Sequence, residues 1–233
     1  MVNASRNDSA GEVGRATGGP VPGSALTQPE WLAARIAEMG ESWGTTVPRV
    51  AGTLWWCMAA SALVEQSARA YAQHRPAPAP ALDRLHCEVR PDGGIERIHI
   101  RTGAVPADLP DDDAGWSHRA EAAAALRATL AALVPVVAAV SGAGVPSLWA
   151  IVADAAGNRA LDAGDPQAGA RLAADVGGKL PVPRFVEING RTFVRRISCC
   201  LVFEVPGCQM CTSCPKRPAA EREALLGGLA TGS

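Results

Sequence analysis

The sequence of 233 residues predicts an α+β fold, mostly helical, with short antiparallel β-hairpins and a cysteine-rich loop close to the C-terminus. Long apolar stretches recur at helical spacing through the first two thirds of the chain. Two pairs of short alternating runs are joined by turn signals, Pro91-Asp92-Gly93-Gly94 and Asn189-Gly190. Five of the seven cysteines fall between Cys199 and Cys214. With 48 % hydrophobic and 19 % charged residues the chain can bury a sizeable core, which argues against wholesale disorder. A formal net charge of −1 argues against a nucleic-acid binder working through a broad basic surface.

Residues 1–27, rich in Gly, Ser, Asn and Pro and without apolar periodicity, read as a flexible tail. A mainly helical domain follows over residues 28–180 and contains one β-hairpin. Pro29 suits a first helical turn, and Trp31, Leu32, Ile36 and Met39 recur at helical spacing up to Gly40, where the helix is expected to stop. Val47–Tyr71 reads as a core helix, and the Pro-Ala alternation of Arg75–Pro80 as an extended connector. Leu85–Arg90 and Ile95–Arg101 alternate about their turn and predict a hairpin. Trp116–Val140 and Pro146–Ala156 read as two buried helices, with Asp111-Asp112-Asp113 as the solvated start of the first. Residues 181–217 combine a second hairpin, Phe185–Ile188 with Thr192–Arg196, and the cysteine loop, packed on the same domain; residues 218–233 read as a C-terminal tail.

Two stretches imitate other signals. Residues 128–153 carry no charge over 26 positions, more than a bilayer requires, but Pro135, Gly142, Gly144 and Pro146 are expected to divide them, so no transmembrane segment is predicted. Gly142-Ala143-Gly144-Val145-Pro146-Ser147 resembles a dinucleotide loop in its setting, yet Ser147 stands at the third position and too little α/β-patterned chain follows; a helix-to-helix turn is expected. His74, His86, His99 and His118 are scattered, without a metal-binding pair four residues apart.

Met1–Thr27 lacks the apolar run of a secretory signal, so the expected location is the cytoplasm. In that reducing compartment clustered cysteines point to metal or redox chemistry before disulfides. Cys211-Thr212-Ser213-Cys214 has the chelating Cys-x2-Cys spacing, and a Pro206-Gly207 turn can fold the loop back toward Cys199 and Cys200. Neighbouring residues on a regular strand point to opposite faces. A tetrahedral zinc site therefore has difficulty using both Cys199 and Cys200, whereas a binuclear cluster can take both if the strand ends or twists there. Cys208 opens a Cys-x2-Cys-x2-Cys run, but Pro218 stands where a ferredoxin's fourth cysteine would come. It can be read as a substitute ligand, a redox-sensitive thiol or a small loop residue, the last being the expectation. Cys57 and Cys87 are expected to be buried small hydrophobes.

Cys199-Cys200-x10-Cys211-x2-Cys214, with Leu201 after the pair, Pro206-Gly207 within the loop and Pro215 after the last cysteine, resembles the C-terminal motif of the FhuF-type ferric-siderophore reductase family. Arg49–Ala62 and Leu148–Ala156 are loosely similar to that family's helical portion. The resemblance implies a [2Fe–2S] cluster held by the iron ligands Cys199, Cys200, Cys211 and Cys214. It also implies an oxidoreductase acting on metal ions, by one-electron reduction of Fe(III) in an internalised hydroxamate siderophore to release Fe(II). No catalytic residue beyond the cluster is expected. Without a recognisable NAD(P)H or flavin site, electrons are expected from a separate ferredoxin or NAD(P)H-dependent reductase. No nucleic-acid partner is expected.

From Lys179 to Arg217 seven basic residues stand against Glu187 and Glu204, a local charge of +5. Arg195 and Arg196 are the candidate contacts to substrate or partner. They alternate faces, so at most one is expected to face the cysteines, where a positive charge favours the reduced form of an anionic cluster. The siderophore cleft is expected between the helices and the cysteine loop, near Trp55, Trp149 or an arginine. Two rival functions remain: a zinc-stabilised binding or adaptor protein, and an iron–sulfur redox sensor.

Overall fold

The computed structural model describes residues 20–101 and 113–232. The centre of the molecule is α2 (Pro48–Ala72), whose apolar residues lie all round its axis, so it must be enclosed by other elements. It packs against α1 (Pro29–Trp43), α3 (Asp113–Ser141), α4 (Val145–Asp162) and α5 (Pro166–Val176). Two indole donors tie this core to its neighbours: Trp55 Nε1 donates to the Gly93 carbonyl at 3.0 Å, and Trp56 Nε1 to the Leu148 carbonyl at 2.9 Å. Both rings are almost fully buried, so these bonds satisfy groups that water cannot reach.

The hairpin of β2 (Leu85–Val89) and β3 (Ile95–Ile100) covers one flank of α2 and gains a third strand, β1 (Val21–Pro22), antiparallel to β2. Leu85, Cys87, Ile95 and Ile98 face inward from it. The predicted tail is thus shorter than residue 27: residues 21–27 form β1 and a turn of 3₁₀-helix, anchored by buried Ala25 and Leu26. Its first 19 residues lie outside the described residues, as do Asp111 and Asp112. The C-terminal expectation also changes, since Ala219–Thr231 forms α6, which buries Leu226 and contacts β4.

Three further corrections concern the helices. α1 continues through Gly40, where a Cβ would come 2.7 Å from the Thr45 carbonyl oxygen; the helix stops at Gly44, which is left-handed at φ 72°. Pro135 does not divide α3. Pro135 and Ala131 lie on the exposed face, so the carbonyl left without a donor by the proline meets solvent. Over His118–Ser141 α3 is long and apolar enough to cross a membrane; Leu126, Leu130, Val134 and Val137 form the face it buries in the core. α5 has no counterpart in the sequence reading. Asp165 caps it by accepting from Gln167 N at 3.0 Å, Pro166 occupies its first turn, and Ala168, Leu172, Ala173 and Val176 make its inner face. Gly142 and Gly144 lie in the expected helix-to-helix turn. The second hairpin, β4 (Phe185–Ile188) and β5 (Arg191–Val194), turns through Asn189 and Gly190, with φ 50° and 74°.

Candidate metal centre

β5 ends at Val194, and the chain then runs irregularly over the floor made by α4. Asp154 of α4, 3 % exposed, determines that path. Its carboxylate accepts from Ile197 N at 3.0 Å, from Ser198 N at 2.9 Å and from the Ser198 hydroxyl at 2.5 Å. Residues 197 and 198 are thereby held out of a β-ladder just before the cysteine pair. Leu201, just after it, is left-handed with φ 62°, which for a non-glycine costs on the order of 1 kcal/mol. Between these two breaks the alternation of a strand no longer applies, and both cysteines can address one site.

The four cysteine thiols stand as two pairs. Cys199 Sγ lies 3.9 Å from Cys214 Sγ, and Cys200 and Cys211 are within hydrogen-bonding contact. Two thiolates at adjacent tetrahedral corners, with metal–sulfur bonds of about 2.3 Å, stand about 3.8 Å apart, so the Cys199–Cys214 spacing suits two ligands of one iron. Among the described residues no group of three or more His, Cys, Asp or Glu side chains is arranged around a single metal ion. Two pairs of sulfurs instead fit a binuclear centre in which each iron takes two thiolates. Backbone donors point at the sulfurs, Leu201 N–H at Cys199 and Val202 N–H at Cys200.

The electrostatics single out Cys200 as the thiolate of the set. The Cys211 thiol donates to Cys200, and with help from Arg196 this holds the Cys200 thiol below its ordinary pKa, while Cys211 is pushed up as the partner that keeps the shared proton. Burial is the main cause that raises Cys199. Arg196 Nη1 donates to Cys211 Sγ at 3.5 Å, and its Nε lies 3.6 Å from Asp154 Oδ2. Arg217 closes the far side of the loop, Nε donating to the Cys211 carbonyl at 3.0 Å and Nη2 to the Met210 carbonyl at 2.6 Å. Lys216 sits over the Phe203 ring, 4.8 Å from its centroid.

Residues 196–216, which hold all four thiols, match the family model described as the FhuF 2Fe-2S C-terminal domain. This segment is similar to FhuF-type [2Fe–2S] C-terminal domains. No curated protein and no solved structure matches the chain. The cofactor that the FhuF domain implies is the [2Fe–2S] cluster, and the paired thiols and their N–H donors suit it.

Of the two candidate arginines, Arg196 turns inward to Cys211 and Asp154, whereas Arg195 is exposed. Cys208 packs against the hydrophobic core. Cys87 is fully buried, with its thiol pushed up to about 12 by burial. Cys57 differs from the expectation of a plain core residue: it lines a cleft with Cys200, and burial raises its thiol to about 12 as well. That cleft, about 490 Å³, lies between α2, α4, β5, α6 and the cysteine loop. Thr212 and Ser213 border it at the loop; Arg159, Asp162 and Phe193 border it opposite. The cleft lies between helices and cysteine loop as expected; of the side chains expected near it, Trp55 and Trp149 are core residues that do not line it, whereas Arg159 and Arg196 do. The residue that sequence reading missed is Asp154. Its signal was there, as the first charge after the uncharged stretch of residues 128–153, on a helix that is otherwise apolar at that level.

Proposed function

We propose that the protein is a cytoplasmic ferric-siderophore reductase that passes one electron to Fe(III) in a hydroxamate chelate seated in the cleft beside Cys200. The observation that carries this reading is that a cluster ligand borders an open cleft whose ionic groups are paired within it. Asp154 faces Arg196, and Arg159 lies 3.3 Å from Asp162, so the lining offers no unmatched charge. Three hydroxamates neutralise one Fe(III), giving an uncharged chelate that loses no counter-ion on entering such a cleft; a trianionic tris-catecholate finds none there. Ile151, Phe193, Leu226 and Leu229 supply apolar wall for the chelate's backbone.

The [2Fe–2S] cluster supplies a one-electron step. The protein's residues favour the thiolate at Cys200 and leave the Cys200 side open to the cleft. The electron comes from an outside donor, a ferredoxin or an NAD(P)H-dependent reductase. The exposed Arg184 and Arg195 offer an acidic donor its landing charge. The ferric ion gains one electron and leaves as Fe(II), because hard oxygen donors hold the divalent ion less tightly.

The test is an anaerobic single turnover. Protein reduced with dithionite and freed of excess reductant is mixed with a ferric tris-hydroxamate or a ferric tris-catecholate, and Fe(II) is trapped with a ferrous chelator. One Fe(II) per cluster from the hydroxamate, with loss of the reduced-cluster EPR signal and a much slower reaction of the catecholate, is the expected result. A cluster that stays reduced in the presence of the hydroxamate overturns the reading. So does purified protein carrying one zinc and no sulfide.

A further inference from the structure

Asp154 makes three hydrogen bonds and one ion pair to the segment that leads into the cysteine loop, and it comes from another element more than forty residues upstream. A buried carboxylate is costly unless its oxygens are satisfied. Here Oδ1 takes Ile197 N–H, and Oδ2 takes Ser198 N–H and the Ser198 hydroxyl. The remaining neighbour is Arg196, whose guanidinium spans from Asp154 on its Nε side to Cys211 Sγ on its Nη1 side. The side chains of Asp154 and Arg196 are 5 % and 17 % exposed, so solvent screens this chain of charges only weakly.

We infer that Asp154 is a positioning residue for the cluster: it clamps the backbone ahead of Cys199, holds Arg196 against Cys211, and by its charge offsets part of the positive field that Arg196 imposes on the sulfurs. Two consequences separate this role from simple packing. Arg196 stabilises the added electron of the reduced state, so its loss lowers the reduction potential. Asp154 opposes that electron, so neutralising it raises the potential. The pair therefore acts as a fixed regulator with arms of opposite sign. The inference rests on the cluster and not on the siderophore, so it stands or falls apart from the reductase reading.

The experiment is a mediated potentiometric titration of the loaded full-length protein, followed by EPR, on wild type, Asp154→Asn, Arg196→Gln and the double variant, with iron and sulfide counted in each. The expected result is about a tenfold rise in the one-electron reduction constant for Asp154→Asn and a comparable fall for Arg196→Gln, 59 mV in either direction. The double variant, in which two neutral amides replace two opposite charges, is expected near wild type. Potentials that move in the same direction in both single variants, or that do not move, overturn the charge role. Should Asp154→Asn fail to retain the cluster, recovery of two iron and two sulfide in the double variant identifies an unpaired buried Arg196 as the cause and supports the pairing. Failure of the double variant as well reduces Asp154 to its backbone clamp and overturns its charge role toward Arg196.

Discussion

In the metal-free chain the Cys211 thiol donates to Cys200, and this bond, aided by Val202 N–H and Arg196, holds Cys200 below its ordinary pKa while Cys211 is pushed up. Thiolate, not thiol, reacts with alkylating reagents. Cys200 is therefore expected to be the first of the seven cysteines labelled by iodoacetamide in metal-free protein at neutral pH. Because its pKa is lowered, labelling persists below the ordinary thiol range and falls only as pH drops through the depressed value. Peptide mass spectrometry across a pH series checks this, and faster labelling at Cys57 or Cys87, whose thiols burial raises to about 12, would contradict it. At this scale the four clustered thiols were legible because spacing and chemistry coincide in one short segment. Asp154 was not, because its partners are backbone N–H groups of residues 197 and 198, and a backbone donor leaves no mark in a sequence. Nor did the sequence order the two arginines: which one faces inward depends on where β5 ends.

Helices α4 and α5 meet so closely that at Gly169 an added Cβ would lie 2.9 Å from the Ala156 carbonyl oxygen and 3.1 Å from Gly157 Cα. These obstacles are backbone, which cannot swing aside. Gly169→Ala is expected to destabilise the protein by about 1–3 kcal/mol through overpacking, read as a lower denaturation midpoint with an unchanged slope in urea. The N-cap of α5 gives a smaller effect. Removing the Asp165 side chain as Asp165→Ala is expected to cost about 1 kcal/mol, and Asp165→Asn less. The bonds to Arg171 and to the helix N–H groups lower the Asp165 pKa, so its contribution is present above the unfolded carboxylate value and fades as pH falls through the lowered one. These contacts also show why α5 escaped the pattern reading. Its apolar residues are mostly Ala and Gly, and their value comes from close approach to α4, not from hydrophobic contrast. The longer α2 and both hairpins were readable, since strong periodicity and positive-φ turn residues act locally.

For the whole molecule, the division of labour is between a helical core and a loop laid over it. The large buried side chains belong to α1 to α5, the first sheet and the 3₁₀ turn that carries Leu26, while the cysteine loop contributes few residues to that core. Removing the cluster with an iron chelator is expected to leave far-UV circular dichroism nearly unchanged while lowering the melting temperature, because ligand binding stabilises by mass action a scaffold already formed. A large loss of helical signal would instead tie the core to the metal. The cleft gives the other prediction at this level. Asn158 is exposed and lines its mouth, so Asn158→Trp is expected to slow ferric hydroxamate reduction by about tenfold without altering the cluster's EPR spectrum, as measured in the single-turnover assay. Composition and periodicity made the helical class and the loop readable, but not the cleft, because its walls come from five separate elements.

The matched segment, residues 196–216, includes Arg196 but ends far from Asp154 in the chain. The cysteine loop is therefore not a portable module. Transplanted into a foreign scaffold it would carry its four sulfurs and an arginine, but arrive without the anchor that shapes its entry and balances its charge. A designer who copies this motif must graft one acidic side chain of a supporting helix along with it, or rebuild the turn from nothing.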